Sequence, residues 1–257
     1  RHTRFKCDWS SDVCSSDLGL TGLDGLLQPA LTRLEAALAE QILVDGGHAS
    51  RSPSVHLAVL RDLIEIRQAL RLARIGQPAA LTQAIEAMSA MLRYLRHGDG
   101  GLALFNGSSE EPGPLIDAVI HQSESRSRLA VGAPDFGIER LHAGRTALFV
   151  DCGHGPATDG RIHAGPLSFE LSVGRERLIV NLGGAGLLPE EWAVAQRATA
   201  AHSTLAIDDT NATRLEAGAP PPTIEVKREE ADGQTWFEAS HDGYADRKST
   251  RLNSSHT

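Results

Sequence analysis

Two histidines and one arginine lie close together around a predicted helix start. His48 ends a Gly-Gly-His turn, Arg51 follows three residues later, and His56 comes one turn after Pro53. An imidazole can transfer a proton near neutral pH, and a guanidinium can bind a carboxylate through two hydrogen bonds. The partial positive charge of a helix N-terminus would favour the same anion. We therefore expect this segment to meet an anionic ligand; alternatively, His48 bridges the turn and His56 packs.

A second group of reactive residue types, Asp151, Cys152 and His154, follows the strand-like segment ALFV. A thiol becomes a nucleophile when a base is held beside it, and one neighbouring histidine in sequence does not establish that geometry. Trp192 and Trp236 could stack on sugar rings, but either could equally pack in a core. None of these residues is predicted to carry the chemistry.

Composition excludes several classes of partner. The 257 residues include 25 Lys+Arg and 33 Asp+Glu, which gives a net charge of −8. An acidic chain is a poor non-specific ligand for nucleic acid or for an anionic membrane surface. The longest apolar runs are far shorter than the roughly 20 residues of a membrane span. We therefore predict no nucleic-acid partner and no membrane insertion.

The elements that must position these residues change type along the chain. Apolar residues at steps of three and four predict helices over about 24–44, 53–74 and 78–96. The second helix has apolar stripes on two sides, as expected between neighbouring helices. From about residue 130, short alternating segments such as TALFVD and LSFELSV predict antiparallel strands.

We therefore expect an α+β multidomain chain. Residues 19–105 would be helical, 106–130 a linker rich in glycine and short polar residues, and 131–245 a β domain. The ends, 1–18 and 246–257, have no periodicity and resemble translated sequencing-adapter read-through; disordered tails are the alternative. Without them, the chain is expected to be a fragment of a longer protein.

Four segments, in this order, resemble the heparinase II/III family of polysaccharide lyases. They are VDGGHASRSPSVHLAVLRDLIEIRQ at 44–68, LRHGDGGLALFNG at 95–107, IHAGPLSFELSVGRERLIVNLGG at 162–184 and RATAAHSTLAIDDTN at 197–211. The resemblance implies an α/α toroid followed by an antiparallel β-sandwich. The chain would then hold the C-terminal helices of the toroid and the first part of the sandwich.

The resemblance implies β-elimination on a uronic-acid polysaccharide. The enzyme must neutralise the uronate carboxylate, after which a Tyr or His removes the C5 proton and the departing O4 is protonated. This chemistry needs no diffusible cofactor. The implied partner is an acidic polysaccharide, and family members are often periplasmic.

The resemblance also implies site residues. His48, His56 and His163 would be catalytic. Arg51, Arg161 and His202 would bind substrate.

This chain departs from the family at one important position. Active relatives tend to carry a catalytic Tyr immediately before the His of the Ser-Pro-x-x-His element, and this chain has Val55 there. A valine transfers no proton. Either another group acts as the base, or this branch has different chemistry.

Some relatives bind a structural zinc ion at the positions of His163 and His202, together with an Asp. The corresponding acidic positions are Gly165 and Asn181 in this chain. Two imidazoles fall short of the three or four protein ligands that zinc takes, so we predict no metal site.

Two other functions remain open. The protein could be a catalytically inactive relative that binds acidic glycans, or the β region could be an interaction module. Elimination would leave an unsaturated uronate that absorbs ultraviolet light, whereas binding would leave the polymer intact.

Overall fold

Helices come first and antiparallel strands follow, which confirms the predicted α+β fold class. The computed structural model describes residues 25–153, 163–184, 189–215 and 220–245. No helix in these ranges is long and apolar enough to cross a membrane. The helices before the first strand are α1 (Leu27–Gln41), α2 (Pro53–Leu72), α3 (Ala79–Tyr94) and α4 (Gly113–Gln122).

Helix α2 is the centre of the helical part. It begins at Pro53, whose ring fixes φ and whose missing N–H would have no partner in a first turn. Leu60 and Ile64 on this helix are almost fully buried, and α2 packs against both α3 and α4. Neighbours on two sides explain its two apolar stripes.

The strands form two antiparallel sheets. The first has the order β1-β2-β3-β4, and the second is the hairpin β5-β6. A short helix, α5 (Glu190–Arg197), lies between the two sheets in sequence. The strands are β1 (Ile138–Ala143), β2 (Thr146–Asp151), β3 (Phe169–Val173), β4 (Glu176–Ile179), β5 (Ile224–Ala231) and β6 (Gln234–His241).

Helix α4 lies inside the segment that we expected to be a linker, 106–130. The proline and glycine residues near its start are typical of a loop, but Pro112 and Pro114 are compatible with a helix N-terminus. Ile116 and Val119 bury their side chains in the core. Packing of these apolar residues therefore outweighs the local turn composition.

The segment STLAID at 203–208 forms no strand, contrary to the alternation. The Ser203 hydroxyl donates to the carbonyl oxygen of Phe169, and the Thr204 hydroxyl donates to that of Pro166 (2.7 Å). Side-chain bonds of this kind compete with a strand ladder. The segment crosses the end of β3 instead of extending the sheet.

One apolar core joins the helices to the first sheet. Phe136 and Phe149 are fully buried in the same cluster as Leu60 of α2 and Met88 of α3. The side of the sheet that carries Phe149 therefore faces the helices. The hairpin β5-β6 covers the opposite side, where Ile224 packs against Val150.

Replacing Phe136 with alanine should lower the free energy of unfolding by about 3–5 kcal/mol, because it opens a cavity where helices meet sheet. Urea denaturation measures the loss. Val131→Ala is the matched control, since Val131 is 98% exposed and its truncation should change stability by less than about 0.5 kcal/mol. Equal losses in the two variants would contradict this account of the core.

Candidate functional site

His48 bridges the turn between α1 and α2. The backbone N–H of Ser50 donates to Nδ1 of His48 (3.1 Å), and the Ser50 hydroxyl lies 2.9 Å from the same nitrogen. A backbone N–H only donates, so Nδ1 carries no proton. Nε2 is then the protonated nitrogen, and it donates to Oε1 of Gln41 (3.3 Å). Both ring nitrogens of His48 thus form hydrogen bonds that connect the turn to the end of α1.

Arg51 is buried between the helices and the sheet. Its Nε donates to the carbonyl oxygen of Phe136 (2.7 Å), and its Nη2 forms an ion pair with the carboxylate of Asp151. A Cβ on residue 153 would lie 2.1 Å from Nη2, so only Gly153 leaves room for the guanidinium. Two of its three nitrogens therefore bind the protein itself.

His56 lies inside the helical core. Its Nε2 donates to the carbonyl oxygen of Met88 (2.9 Å), and its ring contacts Phe136 edge-on. Nδ1 is buried and has no hydrogen-bond partner among the described residues. Burial lowers the pKa of His56 to about 4. The structure thus places His56 in the core, where a polysaccharide has no access.

A chain of buried hydrogen bonds begins at His97, in the loop after α3. Nε2 of His97 lies 2.8 Å from Oε2 of Glu170, and both side chains are fully buried. Nδ1 lies 2.9 Å from the Ser172 hydroxyl on β3. Oε1 of Glu170 accepts the backbone N–H groups of Leu104 (2.9 Å) and Asn181 (3.2 Å). The loop is thereby tied to the sheet.

The chain continues to the two predicted histidines with a defined polarity. The Asn181 amide nitrogen donates to Glu170 (3.3 Å), and the Ser203 N–H donates to Asn181 Oδ1 (3.2 Å), which fixes the amide orientation. Nδ1 of His202, 3.3 Å from Oδ1, must donate to it. In the neutral ring, Nε2 of His202 then accepts a bond from Nδ1 of His163 (3.1 Å). Nε2 of His163 is then the unprotonated nitrogen of that ring, and it can accept a hydrogen bond.

His163 lines a small cavity together with Arg51 and Asp151. Its volume is about 30 Å³, and Asn106 and Thr213 also line it. The structure therefore brings His163 and Arg51 together and places His202 directly behind His163. His48 and His56 do not line this cavity, and Arg161 lies outside the described residues.

Both imidazoles of the pair are neutral at physiological pH. Burial, then His202 and Arg197, lower the pKa of His163 to about 3. Burial also lowers the pKa of His202. A base with so low a pKa has little driving force to remove a proton from carbon. The site thus offers a hydrogen-bond acceptor and a weak base.

Residues 125–253 match a family model described as heparinase II/III-like, C-terminal. The chain belongs to the heparinase II/III-like family. This membership makes it a relative of polysaccharide lyases. A protein similar in sequence is FtsZ-localized protein C of Caulobacter vibrioides, 33% identical over 234 residues. That alignment covers 85% of this chain and 40% of the relative, so the chain spans less than half of its length.

Parts of two solved lyase structures have the same fold as this chain. The crystal structure of heparan sulfate lyase HepC from Pedobacter heparinus superposes with a TM-score of 0.66 at 15% identity, covering 85% of this chain and 38% of that one. A crystal structure of heparinase III gives 0.62 at 14% identity, covering 82% and 40%. At these identities the similarity establishes the fold alone.

As a heparinase II/III-like protein, the chain has no described tyrosine free for catalysis. Val55 lies in the first turn of α2. The Tyr94 hydroxyl donates to the carbonyl oxygen of Ile138 (3.2 Å), and burial raises the pKa of Tyr94 to about 12. The Tyr244 hydroxyl donates to the carbonyl oxygen of Leu205 (3.0 Å). Both phenols therefore serve the fold.

The zinc site of some family members does not fit this chain. The nitrogens that would face a shared ion, Nδ1 of His163 and Nε2 of His202, are 3.1 Å apart and hydrogen-bonded to each other. A Cβ on residue 165 would lie 2.9 Å from the His202 ring, so Gly165 is needed for this packing. Within the described ranges, no group of three or more His, Cys, Asp and Glu residues could hold a metal ion.

Sequence reasoning missed His97 and Glu170. The available signal was a glutamate in the middle of the apolar strand segment LSFELSV, where a charge needs a buried partner. Nothing local connects it with His97, 73 residues away in the chain. The partner was therefore visible only in the folded structure.

Lowering the pH should destabilise the protein through His163. Its folded-state pKa of about 3 is below the unfolded value of 6.5, so the unfolded chain takes up the proton first. The contribution of His163 to the free energy of unfolding is fully present above about pH 6.5 and is lost as the pH falls towards 3. His163→Asn keeps an N–H donor near Nδ1 and should reduce the loss of urea stability between pH 7 and pH 4.5 by about 2 kcal/mol.

The matched control for this experiment is His121→Asn, because His121 is an exposed histidine on α4. It should keep the wild-type pH dependence. An unchanged pH dependence in His163→Asn would contradict the assignment.

The hydrogen-bond polarity can be tested by nitrogen-15 NMR of the imidazole rings. We expect His163 and His202 each to carry the proton on Nδ1 at neutral pH. Asn181→Leu removes the acceptor that orients His202, so a mixture of tautomers should then appear. Nε2–H tautomers in the wild-type protein would contradict the deduced chain, whereas His48 should remain Nε2-protonated in both proteins as an internal reference.

Proposed function

We propose that the protein is a non-catalytic member of the heparinase II/III-like family that acts by binding a partner. The supporting observation is the state of the residues expected to perform elimination. Arg51 is paired with Asp151, His56 is in the core, and His163 is a neutral weak base. A lyase must both neutralise a uronate carboxylate and remove a carbon-bound proton. The described residues are poorly suited to both tasks.

We further propose that this partner is FtsZ or an assembly that contains FtsZ. The support is the 33% identity with FtsZ-localized protein C, which spans both the helical and the β part of this chain. A lyase fold with its polar groups committed internally can still present stable surfaces to another protein. The internal pairing of the site residues and the identity with that relative both support a binding role.

The second candidate is a polysaccharide lyase that cleaves a uronic-acid polysaccharide by β-elimination, in the periplasm. The observation that favours it is that His163, whose Nε2 is the unprotonated nitrogen, lines the same cavity as Arg51 and Asn106. A substrate carboxylate would then compete with Asp151 for Arg51. Acidic polysaccharide would be substrate in this case and a bound ligand in an inactive relative.

The two candidates can be separated with the full-length protein. We expect no rise in ultraviolet absorbance with heparan sulfate, alginate or polyglucuronate, and we expect co-sedimentation with FtsZ polymers. Val55→Tyr supplies the missing phenol but should remain inactive, because Arg51 stays paired and His56 stays buried. An absorbance rise that His163→Asn abolishes would establish the lyase instead. Absence of both activities would contradict both candidates.

A further inference from the structure

A groove of about 440 Å³ runs along the outer edge of β1 and shares no lining residue with the His163 cavity. Residues 129–131 form one side, and the turn of the β5-β6 hairpin, residues 231–234, forms the other. Arg140 and His142 of β1 line it between these sides. We refer to it as the β1 groove.

Arg140 is the unusual residue of the β1 groove. Its Nε is buried without a hydrogen-bond partner, and among the described residues no carboxylate forms an ion pair with its guanidinium. The contact found is with an aromatic ring: the guanidinium carbon lies 5.7 Å from the ring centre of Phe149. Burial lowers the pKa of Arg140, as expected for a charge with too little compensation. A half-buried guanidinium in this state is well suited to an incoming carboxylate.

The carboxylates near the groove are either paired with another cation or exposed to solvent. Arg228 binds Glu230 (2.6 Å) and Glu139 (2.8 Å), so these two acids share one cation. Asp232 lies in the exposed hairpin turn, where solvent and salt screen its charge. Neither arrangement supplies a partner to Arg140.

At this edge of β1 the backbone groups of Ile138 and Arg140 are already bonded to side chains, and His142 is the next residue whose backbone faces outward. The Tyr94 hydroxyl accepts the Arg140 N–H (2.8 Å) and donates to the carbonyl oxygen of Ile138, and Arg228 donates to the carbonyl oxygen of Arg140 (3.3 Å). Residues two apart in a strand direct their backbone groups to the same side. The N–H and carbonyl of His142 therefore point into the groove, next to Arg140.

The rim of the groove is apolar. Leu129 is 42% exposed and Val131 is 98% exposed, although both are large hydrophobic residues. A cation, the outward backbone groups of His142 and an apolar rim together match one kind of ligand. An extended peptide supplies a side-chain carboxylate, backbone hydrogen bonds and apolar side chains in alternation.

We propose that the β1 groove binds an extended acidic segment of a partner protein, with a glutamate or aspartate of that segment on Arg140. The peptide backbone pairs with His142, and a neighbouring apolar side chain covers Leu129 and Val131. This inference rests on the proposed binding role. It is tested with a peptide alone, so its failure is distinguishable from failure of the assays above.

The probe is the blocked peptide acetyl-Leu-Glu-Leu-Glu-amide, added to the full chain labelled with nitrogen-15. We expect amide shifts at Val131, Arg140 and His142, and at least tenfold weaker binding of the Leu-Gln-Leu-Gln counterpart. Arg140→Gln should weaken binding of the acidic peptide at least tenfold. Arg145→Gln, an exposed arginine in the β1–β2 turn, should leave it unchanged.

Several outcomes would overturn the proposal. They are equal binding of the two peptides, unchanged binding in Arg140→Gln, or no shifts at these three residues at millimolar peptide. Equally tight binding of inorganic phosphate at Arg140 would also overturn it, because the groove would then be a simple anion site.

A second measurement separates a binding residue from a structural one. Arg140→Met removes a half-buried charge that has no anionic partner, so its thermal midpoint should equal or exceed that of the wild type, while peptide binding is lost. A lowered midpoint with peptide binding retained would show that Arg140 serves packing on Phe149 and would overturn the proposal.

Discussion

The ion pair between Arg51 and Asp151 is the contact on which the arrangement of helices and sheet depends. Arg51 comes from the turn before α2, and Asp151 is the last residue of β2. The same guanidinium binds the carbonyl oxygen of Phe136, and the Asn106 amide binds the carbonyl oxygen of Arg51 (3.1 Å). Removing one partner of a buried pair costs about 3–5 kcal/mol, because the other charge is left without compensation. Three chain segments are therefore held in register by one cation.

The hydrogen-bond chain from His97 to His163 determines where the protons lie on the two site histidines. Two groups set its direction: the Glu170 carboxylate only accepts, the Ser203 N–H only donates, and together they orient the Asn181 amide. The proton positions on both histidines then follow without further choice. Burial lowers the pKa of both rings and so favours their neutral forms, and in that state the network has a single polarity. The fold thus holds both imidazoles in one tautomer.

Much of the fold could be predicted from the sequence, because helical and strand periodicity report which side of an element is buried. The two apolar stripes of α2 correctly indicated neighbours on both sides. Helix α4 was missed because its proline and glycine residues are also typical of loops. At the site, residue types identified Arg51 and the family resemblance implied His163, and the two line the same cavity. The ion pair of Arg51 and the burial of His56 depend on contacts distant in sequence, and local patterns do not contain them.

The structure also separates architecture from chemistry. A β-elimination site needs a guanidinium or amide free to hold a carboxylate, and a base whose pKa allows it to take a proton from carbon. Here Arg51 is paired with Asp151, which ties the turn before α2 to the end of β2, and burial lowers the pKa of His163. Val55, in the position where the family tyrosine is expected, has no group that could transfer a proton. The polar residues of a lyase-like cleft can thus be retained because they hold the fold together, and their presence alone is weak evidence for turnover.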